Sequence, residues 1–436
     1  MCDRLLPNRT GLTPHFFEEV HEFVQFACKQ PQYANDKENS CPCSKDQNRK
    51  LMDLDHVDEH IYKYGFMEDY WYWTSHGESK PVEFDSHGTD STSHFTTLKP
   101  NEEAKEISHE NEVAALLKWK ASLDNKSQSL LSSWATTTYT NAISNPCNNN
   151  WFGIGCNKAG RVAYLNLTSC DIRGYVPQQI GLMRELVTLD LGFNSITGMI
   201  PSTIFGNLSD LYFLAFPKNE LRGYIPSSIG NLTKLEILYL YKNRLSGPIP
   251  EEIGMLKSIR DLELFDNHLT GHIPSSIGNL SNLTILYLRV NNLTGRIPEE
   301  FGMLNSLYDI DLGVNNLEGD IPSSIGNLEQ LTYLALYENN LTGNILINLK
   351  NCTNLYRIDL RGNKFSENIS ETFGIYLNLD YIDLSDNRFH GELDATWGLC
   401  RGLTGFKISN NYISGNIPDE LGGVFESING DNTPNF

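Results

Sequence analysis

Side chains able to recognise a partner recur at fixed intervals in the second half of the chain. Phe213, Tyr239, Tyr241, Phe265, Tyr287, Tyr333, Tyr337 and Tyr381 stand among Asp261, Glu263, Asp309, Asp311, Arg357, Asp359 and Arg361. Rings on a preformed surface give contact area at little entropic cost, so the grouping suits binding. Aromatics are also good strand residues, but a column of them on one exposed face favours recognition. Arg357 and Arg361 could hold a peptide carboxylate, or close a salt bridge with Asp359 or Asp383. No nucleophile stands beside a base in a motif context and no loop is built to cradle phosphate, so an enzyme is not expected. Nine Asn-x-Ser/Thr sequons lie in this half, at Asn166, Asn207, Asn231, Asn279, Asn282, Asn292, Asn340, Asn351 and Asn368. They are glycan acceptors in a secreted chain, although several are by-products of a recurring Gly-Asn-Leu-Ser/Thr element. Cys352 and Cys400 hold equivalent places two periods apart, roughly 10 Å when stacked, beyond disulfide reach; buried thiols are expected.

Those positions are set by a repeat. The pattern L-x-L-x-x-N ends at Asn194, Asn219, Asn243, Asn267, Asn291, Asn315, Asn339, Asn363, Asn387 and Asn411, and Cys170 takes the Asn place in the first of eleven copies. The step is 24 residues, except for 25 between Asn194 and Asn219, where Phe205 reads as an insertion. A period in this range marks a leucine-rich repeat. A longer period of 48 overlies it: IPSSIGNL begins at Ile225, Ile273 and Ile321, and IPEEIGML at Ile249 returns as IPEEFGML at Ile297. In Leu238-Tyr239-Leu240 the leucines face inward and Tyr239 outward, because strand side chains alternate. Asn243 follows where the chain turns, and its amide can satisfy backbone groups that no ladder reaches. Stacked copies therefore predict a buried Asn column inside a right-handed solenoid. The next turn, Leu245-Ser246-Gly247-Pro248-Ile249-Pro250, uses Gly for positive φ and Pro to stop a helix.

Composition narrows the function further. The chain has 436 residues, 40% apolar, a mean hydropathy of −0.35 and a net charge of −20. Residues 1–108 carry 11 basic and 20 acidic side chains and the rest 23 and 34, so neither part offers the basic field that nucleic acid needs. No stretch approaches the ~18 apolar residues of a membrane span. Met1–Asn8 holds no apolar signal core, so the chain as written is expected to be neither exported nor anchored.

The L-x-G-x-I-P turns resemble the plant-specific class of leucine-rich repeat, found in the ectodomains of plant receptor-like kinases and receptor-like proteins. The resemblance covers roughly residues 109–436 and weakens at Gly343, Glu367 and Gly391, where the Pro is lost. Behind Asn111, a candidate N-cap, Val113, Leu116, Leu117, Trp119 and Leu123 have helical spacing. The stretch NPCNNNWFGIGC, with Trp151 and Gly153, resembles the N-terminal cap of these receptors, which implies a disulfide between Cys147 and Cys156. No second Cys-containing cap and no kinase signature follow, as in a truncated ectodomain.

Residues 1–78 do not repeat. DRLLPNRTGLTPHFFEEVHEFVQFACKQPQY, CPCSKDQNRK and the run Trp71 to Glu78, WYWTSHGE, resemble the transposase-associated domain of plant CACTA-type transposons. In that family Cys-Pro-Cys is followed by a third Cys and then a His, a set that looks like four zinc ligands. Here Cys41, Cys43 and His60 match and Asp46 stands in the third place. Either a carboxylate completes the site or it has degraded to ordinary thiols. Residues 79–108, poor in large apolar side chains, read as a disordered linker.

The expected architecture is an α/β repeat solenoid. A transposase-associated-like, small, α-rich domain (1–78) and a linker (79–108) precede a helical cap (109–160) and a leucine-rich-repeat horseshoe of eleven repeats without a C-terminal cap (161–436). The resemblance implies a non-catalytic module that binds a peptide or protein ligand, and possibly a co-receptor, on its concave face, in signalling or defence. No cofactor is expected apart from zinc at 41–60. The alternative is a transposon-derived nuclear protein, or a mis-joined gene product, in which the solenoid is a passenger. The compartment is extracellular or plasma-membrane-associated on the first reading and nuclear on the second.

Overall fold

The computed structural model describes residues 39–40, 51–52, 100–135, 146–147, 150–345, 349–372, 376–393 and 395–421. Cys41, Cys43 and His60 lie outside the described residues, as does nearly all of 1–99. Two compact units are present, Met1–Lys120 with Asn125–Ile172, and Ala121–Asp124 with Arg173–Phe436.

A helix runs from Pro100 to Ser122, so Asn111 is interior to it and not its N-cap, and part of the expected linker is helical. Sequence explains the early start. Proline at the first turn lacks only an N–H that would be orphaned there. Val113, Ala115, Leu116 and Trp119 form the buried stripe, while Leu117 is half-buried. Trp119 meets Trp134 at 6.0 Å, and Trp134 stacks on Trp151 at 5.8 Å. Glu112, 1% exposed, is neutralised by Arg161, whose Nε and Nη2 lie 2.9 and 2.6 Å from Oε1. That pair fastens the helix to the antiparallel strands Ile154–Cys156 and Val162–Asn166. Cys147 and Cys156 form the disulfide the resemblance implied.

The second unit is a repeat solenoid. Ten parallel three-residue strands, from Thr188–Asp190 to Gly405–Lys407, form one sheet, and register pairs each residue with its counterpart one repeat on, as in Ile237 with Asp261. A second parallel sheet joins Arg173–Tyr175 through Asn340–Thr342. Short 3-10 helices such as Glu251–Met255 and Glu299–Met303 follow the Pro of the Ile-Pro pair in most repeats and bury an Ile or Phe. Each buried apolar side chain contributes roughly 1.5–3 kcal/mol, but only because the neighbouring turn covers it.

The Asn column is present. Asn243, Asn267 and Asn291 are at most 8% exposed. Asn267 Nδ2 donates to the carbonyls of Leu240, Leu264 and Phe265 at 3.0, 3.1 and 3.2 Å, and its Oδ1 accepts the Leu245 N–H at 2.9 Å. The residue before each such Asn takes positive φ, including the β-branched Val290 and Val314 at +55° and +52°.

Two irregularities have local causes. The 25-residue repeat absorbs Phe205 in an α-helix, Ser202–Asn207, where its neighbours have 3-10 turns. The second sheet stops after Thr342 because Glu367 holds the place that Gly343 and Gly391 fill with φ +80° and +93°. Glu367 instead turns inward, 3% exposed, and its Oε1 accepts the Ile345 N–H at 3.0 Å.

Candidate functional site

Each of these ten parallel strands projects alternate residues away from the leucine core, giving columns that run across the strands. The outward side chains fall into two groups of different character.

The first group is closed on itself. Phe213 meets Tyr239 edge-on at 6.0 Å, Tyr241 stacks on Phe265 at 4.5 Å, and Phe265 meets Tyr287 at 6.3 Å. Phe213, Tyr239 and Phe265 are 3%, 9% and 7% exposed, so here the expected open aromatic strip is a packed layer. The reason is spacing: rungs ~4.8 Å apart bring neighbouring rings into contact before any partner arrives. Carboxylates finish the layer. Tyr239 Oη donates to Asp261 at 2.7 Å and Tyr287 Oη to Asp309 at 2.6 Å. Burial pushes Glu263 well above the usual carboxylate range, with the Asp261 charge adding to the rise.

The second group opens into a hollow of about 260 Å³ whose walls include Tyr287, Asp309, Tyr333, Arg357, Asp359 and Tyr381. Arg289 reaches Asp311 at 3.0 Å and Arg361 reaches Asp359 at 3.1 Å. The alternative left open by the sequence is thereby decided for Arg361, whose carboxylate is Asp359; Asp383 instead faces Lys407 at 3.7 Å. Arg357 differs. It is exposed, lies 5.0 Å above the Tyr381 ring and has no ion pair among the described residues. Burial raises Asp309 to about 6 against the opposing Tyr287 hydrogen bond, and raises Asp359 to about 6 against Arg361. Arg361 also lies over Tyr337, at 4.6 Å.

Tyr308 and Tyr356 went unnoticed in the sequence. They flank Tyr333 at 5.4 and 5.9 Å, and both are exposed. Each sits just before its strand, outside the alternation that was read, yet they are 48 residues apart, a signal that the longer period carried. Of the sequon residues, Asn207, Asn231, Asn279, Asn282, Asn292 and Asn351 are exposed, whereas Asn166, Asn340 and Asn368 are half-buried. Cys352 and Cys400 are free buried thiols, and burial pushes Cys352 up to about 11.

The two parts of the chain match different family models. Residues 5–78 match the transposase-associated domain, 109–157 the leucine rich repeat N-terminal domain, and 157–268 the leucine-rich repeat region, with further repeats at 258–280 and 282–304. The leucine-rich repeat receptor-like serine/threonine-protein kinase RGI4 of Arabidopsis thaliana is 39% identical over 116 residues, 26% of this chain and 10% of that one. Among solved structures, the peptide hormone receptor RGFR1 in complex with RGF2 is 38% identical, with a TM-score of 0.55 over 56% of this chain and 39% of the receptor. The Arabidopsis receptor kinase HAESA, in complex with the peptide hormone IDA and the co-receptor SERK1, is 30% identical at a TM-score of 0.58, over 70% and 54%. The chain thus spans a tenth of the length of RGI4 and about half or less of these solved chains. The relatives are plant leucine-rich-repeat receptor kinases, matched here over their non-catalytic ectodomain fold. No helix among the described residues is long and apolar enough to cross a membrane.

Proposed function

We propose that the solenoid of residues 161–436, behind its 109–160 cap, binds an extracellular peptide with a free carboxylate, as a fragment of a plant receptor-like ectodomain. The observation that carries this reading is Arg357, an exposed guanidinium without a carboxylate partner among the described residues, seated between Tyr333 and Tyr381 in a sheet-face hollow. A carboxylate there gains charge-assisted hydrogen bonds, and the rings supply the apolar wall. The peptide-bound RGFR1 and HAESA complexes support the choice of ligand class, and the SERK1 complex supports a co-receptor as second partner. Asn207, Asn231, Asn279, Asn282, Asn292 and Asn351 are the sequons most open to glycans. The test is capture of a peptide library by the full chain expressed in the secretory pathway. Binding that survives both C-terminal amidation and Arg357→Gln would refute the site.

A second reading rests on the transposase-associated match at 5–78: a transposon-derived nuclear protein, or two genes joined in error, with the solenoid as passenger. Zinc at Cys41, Cys43 and His60 belongs to that reading. Sequencing the transcript across residues 70–115 separates a true fusion from a mis-joined product, and only an intact junction keeps the two parts in one protein.

A further inference from the structure

A ligand carboxylate at Arg357 brings its own residue's side chain onto the floor of the hollow, and that floor is low. The same outward position of successive rungs holds Tyr287, Asp311, Ala335, Asp359 and Asp383. Strands ~4.8 Å apart make these side chains neighbours, so one methyl among longer groups leaves a notch walled by Asp311 and Asp359. Ala215 holds this position five repeats earlier without such an opening. It is fully buried in one cluster with Phe213 and Tyr239, and Tyr212 and Tyr241 pack against that cluster. Ala335 is only half-buried. Tyr337, the next outward ring on its strand, is turned back over Gly313, where any Cβ would strike it. That ring is thereby kept on the preceding rung.

We propose that the notch over Ala335 receives the side chain of the peptide's C-terminal residue, and that this side chain is cationic. This rests on the carboxylate-binding reading above. Size argues for a single residue, since about 260 Å³ is less than the roughly 300–1,000 Å³ of sites that enclose a whole small molecule. Charge argues for a cation. The lining holds Asp309, Asp311 and Asp359 against Arg289 and Arg357. Arg289 neutralises Asp311, and Arg361, from outside the lining, neutralises Asp359. Arg357 then balances Asp309, so a docked carboxylate would leave the hollow one cation short. An ammonium or guanidinium on the same ligand residue makes up that charge. The walls can accept its hydrogen bonds. Asp311 takes the Gly313 N–H and Arg289, both at 3.0 Å, and Asp359 takes the Arg361 N–H and guanidinium at 3.2 and 3.1 Å. A carboxylate offers about four acceptor sites, so both keep lone pairs for a further donor.

Nα-acetyl-lysine and Nα-acetyl-norleucine are suitable probes, because both carry a free carboxylate on the same carbon stem and only the first ends in an ammonium. Binding to the full chain, followed by saturation-transfer NMR at neutral pH, should be tighter for the lysine derivative by up to about fivefold, the range of an exposed ion pair. Ala335→Leu fills the notch and should bring that ratio to about one. Ala335→Val, a smaller filling by a residue suited to strands, should give an intermediate ratio and serves if the Leu variant misfolds. Equal wild-type affinities overturn the proposal. So does a ratio unchanged in the folded Ala335 variants, which would assign the preference to the net charge of −20. Nα-acetyl-lysine amide separates the two readings. If amidation abolishes binding while the two acids bind equally, the carboxylate site stands and only the cation is refuted; an amide that binds as tightly as the acid refutes both.

Discussion

Replacing Asn267 by Leu removes a side chain of similar size whose work is entirely in hydrogen bonds, so the cost can be followed bond by bond. Three carbonyls lose a donor, but each retains another. Leu240 keeps Asn243 Nδ2 at 3.1 Å, Leu264 keeps Asn291 Nδ2 at 3.1 Å, and Phe265 keeps the Lys242 N–H at 2.9 Å. The buried Leu245 N–H, which reached Asn267 Oδ1 at 2.9 Å, loses that side-chain acceptor. One orphaned donor costs about 1–3 kcal/mol, and three weakened acceptors add a few tenths each, so the loss should total about 2–4 kcal/mol. Asn267→Asp keeps the acceptor for Leu245 but turns a second oxygen toward those carbonyls. It should be at least as damaging at neutral pH and recover on acidification, when the protonated acid regains a donor. Because repeat arrays open locally, amide hydrogen exchange is the sharper assay beside equilibrium denaturation. Protection at Leu245 should fall, while Leu269, bonded to Asn291 at 3.0 Å, should change less. An unchanged denaturation midpoint with full protection at Leu245 would refute the Asn-column account.

Val314→Asn should raise stability by about 1 kcal/mol, because a β-branched residue at φ +52° is strained where Asn is tolerated; calorimetry reads the gain. Asp309 and Asp359, both at about 6 when folded, bind protons before the unfolded chain does, so their contribution is present at low pH and lost as pH rises through about 6. Denaturant midpoints should therefore increase from neutral pH toward about pH 5, by at most 1–3 kcal/mol after screening, and less in Asp309→Asn. Tyr239→Ala should lower the melting temperature, at a cost of about 2 kcal/mol, since that ring is buried. Tyr333→Ala should instead weaken peptide capture with a smaller change in melting; equal melting losses would make the hollow structural. Reducing Cys147–Cys156, nine residues apart, should destabilise the cap unit by about 2–3 kcal/mol, measured by denaturation with and without reductant.

The rungs and the Asn column could be read from sequence because each depends on spacing within or between identical units, whereas the disulfide was implied by the resemblance of the cap to a receptor family. What lies between columns could not. Alternation tells that Tyr239 leaves the leucine core, but its burial depends on packing against Phe213 of the preceding rung and Tyr241 of its own. Likewise, Arg361 had Asp359 on its own repeat and Asp383 on the next, and only the geometry shows which is taken. Tyr308 and Tyr356 escaped because the strand frame starts one residue after them. The early helix start at Pro100 escaped for another reason: a charged, alanine-poor segment satisfies both a linker reading and the first turns of a helix.

The Asn ladder gives the array something like a reading frame. From Asn243 to Asn411 each amide ties its own turn to the one before it through partners 22 and 27 residues back, as Asn291 does with Leu269 and Leu264, and Asn219 does so at 23 and 28. A duplication or deletion of whole units leaves every one of these bonds in phase, wherever it falls. A fractional change has to be swallowed away from the ladder, as the extra residue near Phe205 is by a six-residue α-helix in place of a five-residue 3-10 helix. Length can thus be revised in whole steps without relearning the core. Each such step slides one entire row of outward side chains past the next, so new combinations of aromatic and charged groups come from shuffling rows that already fold.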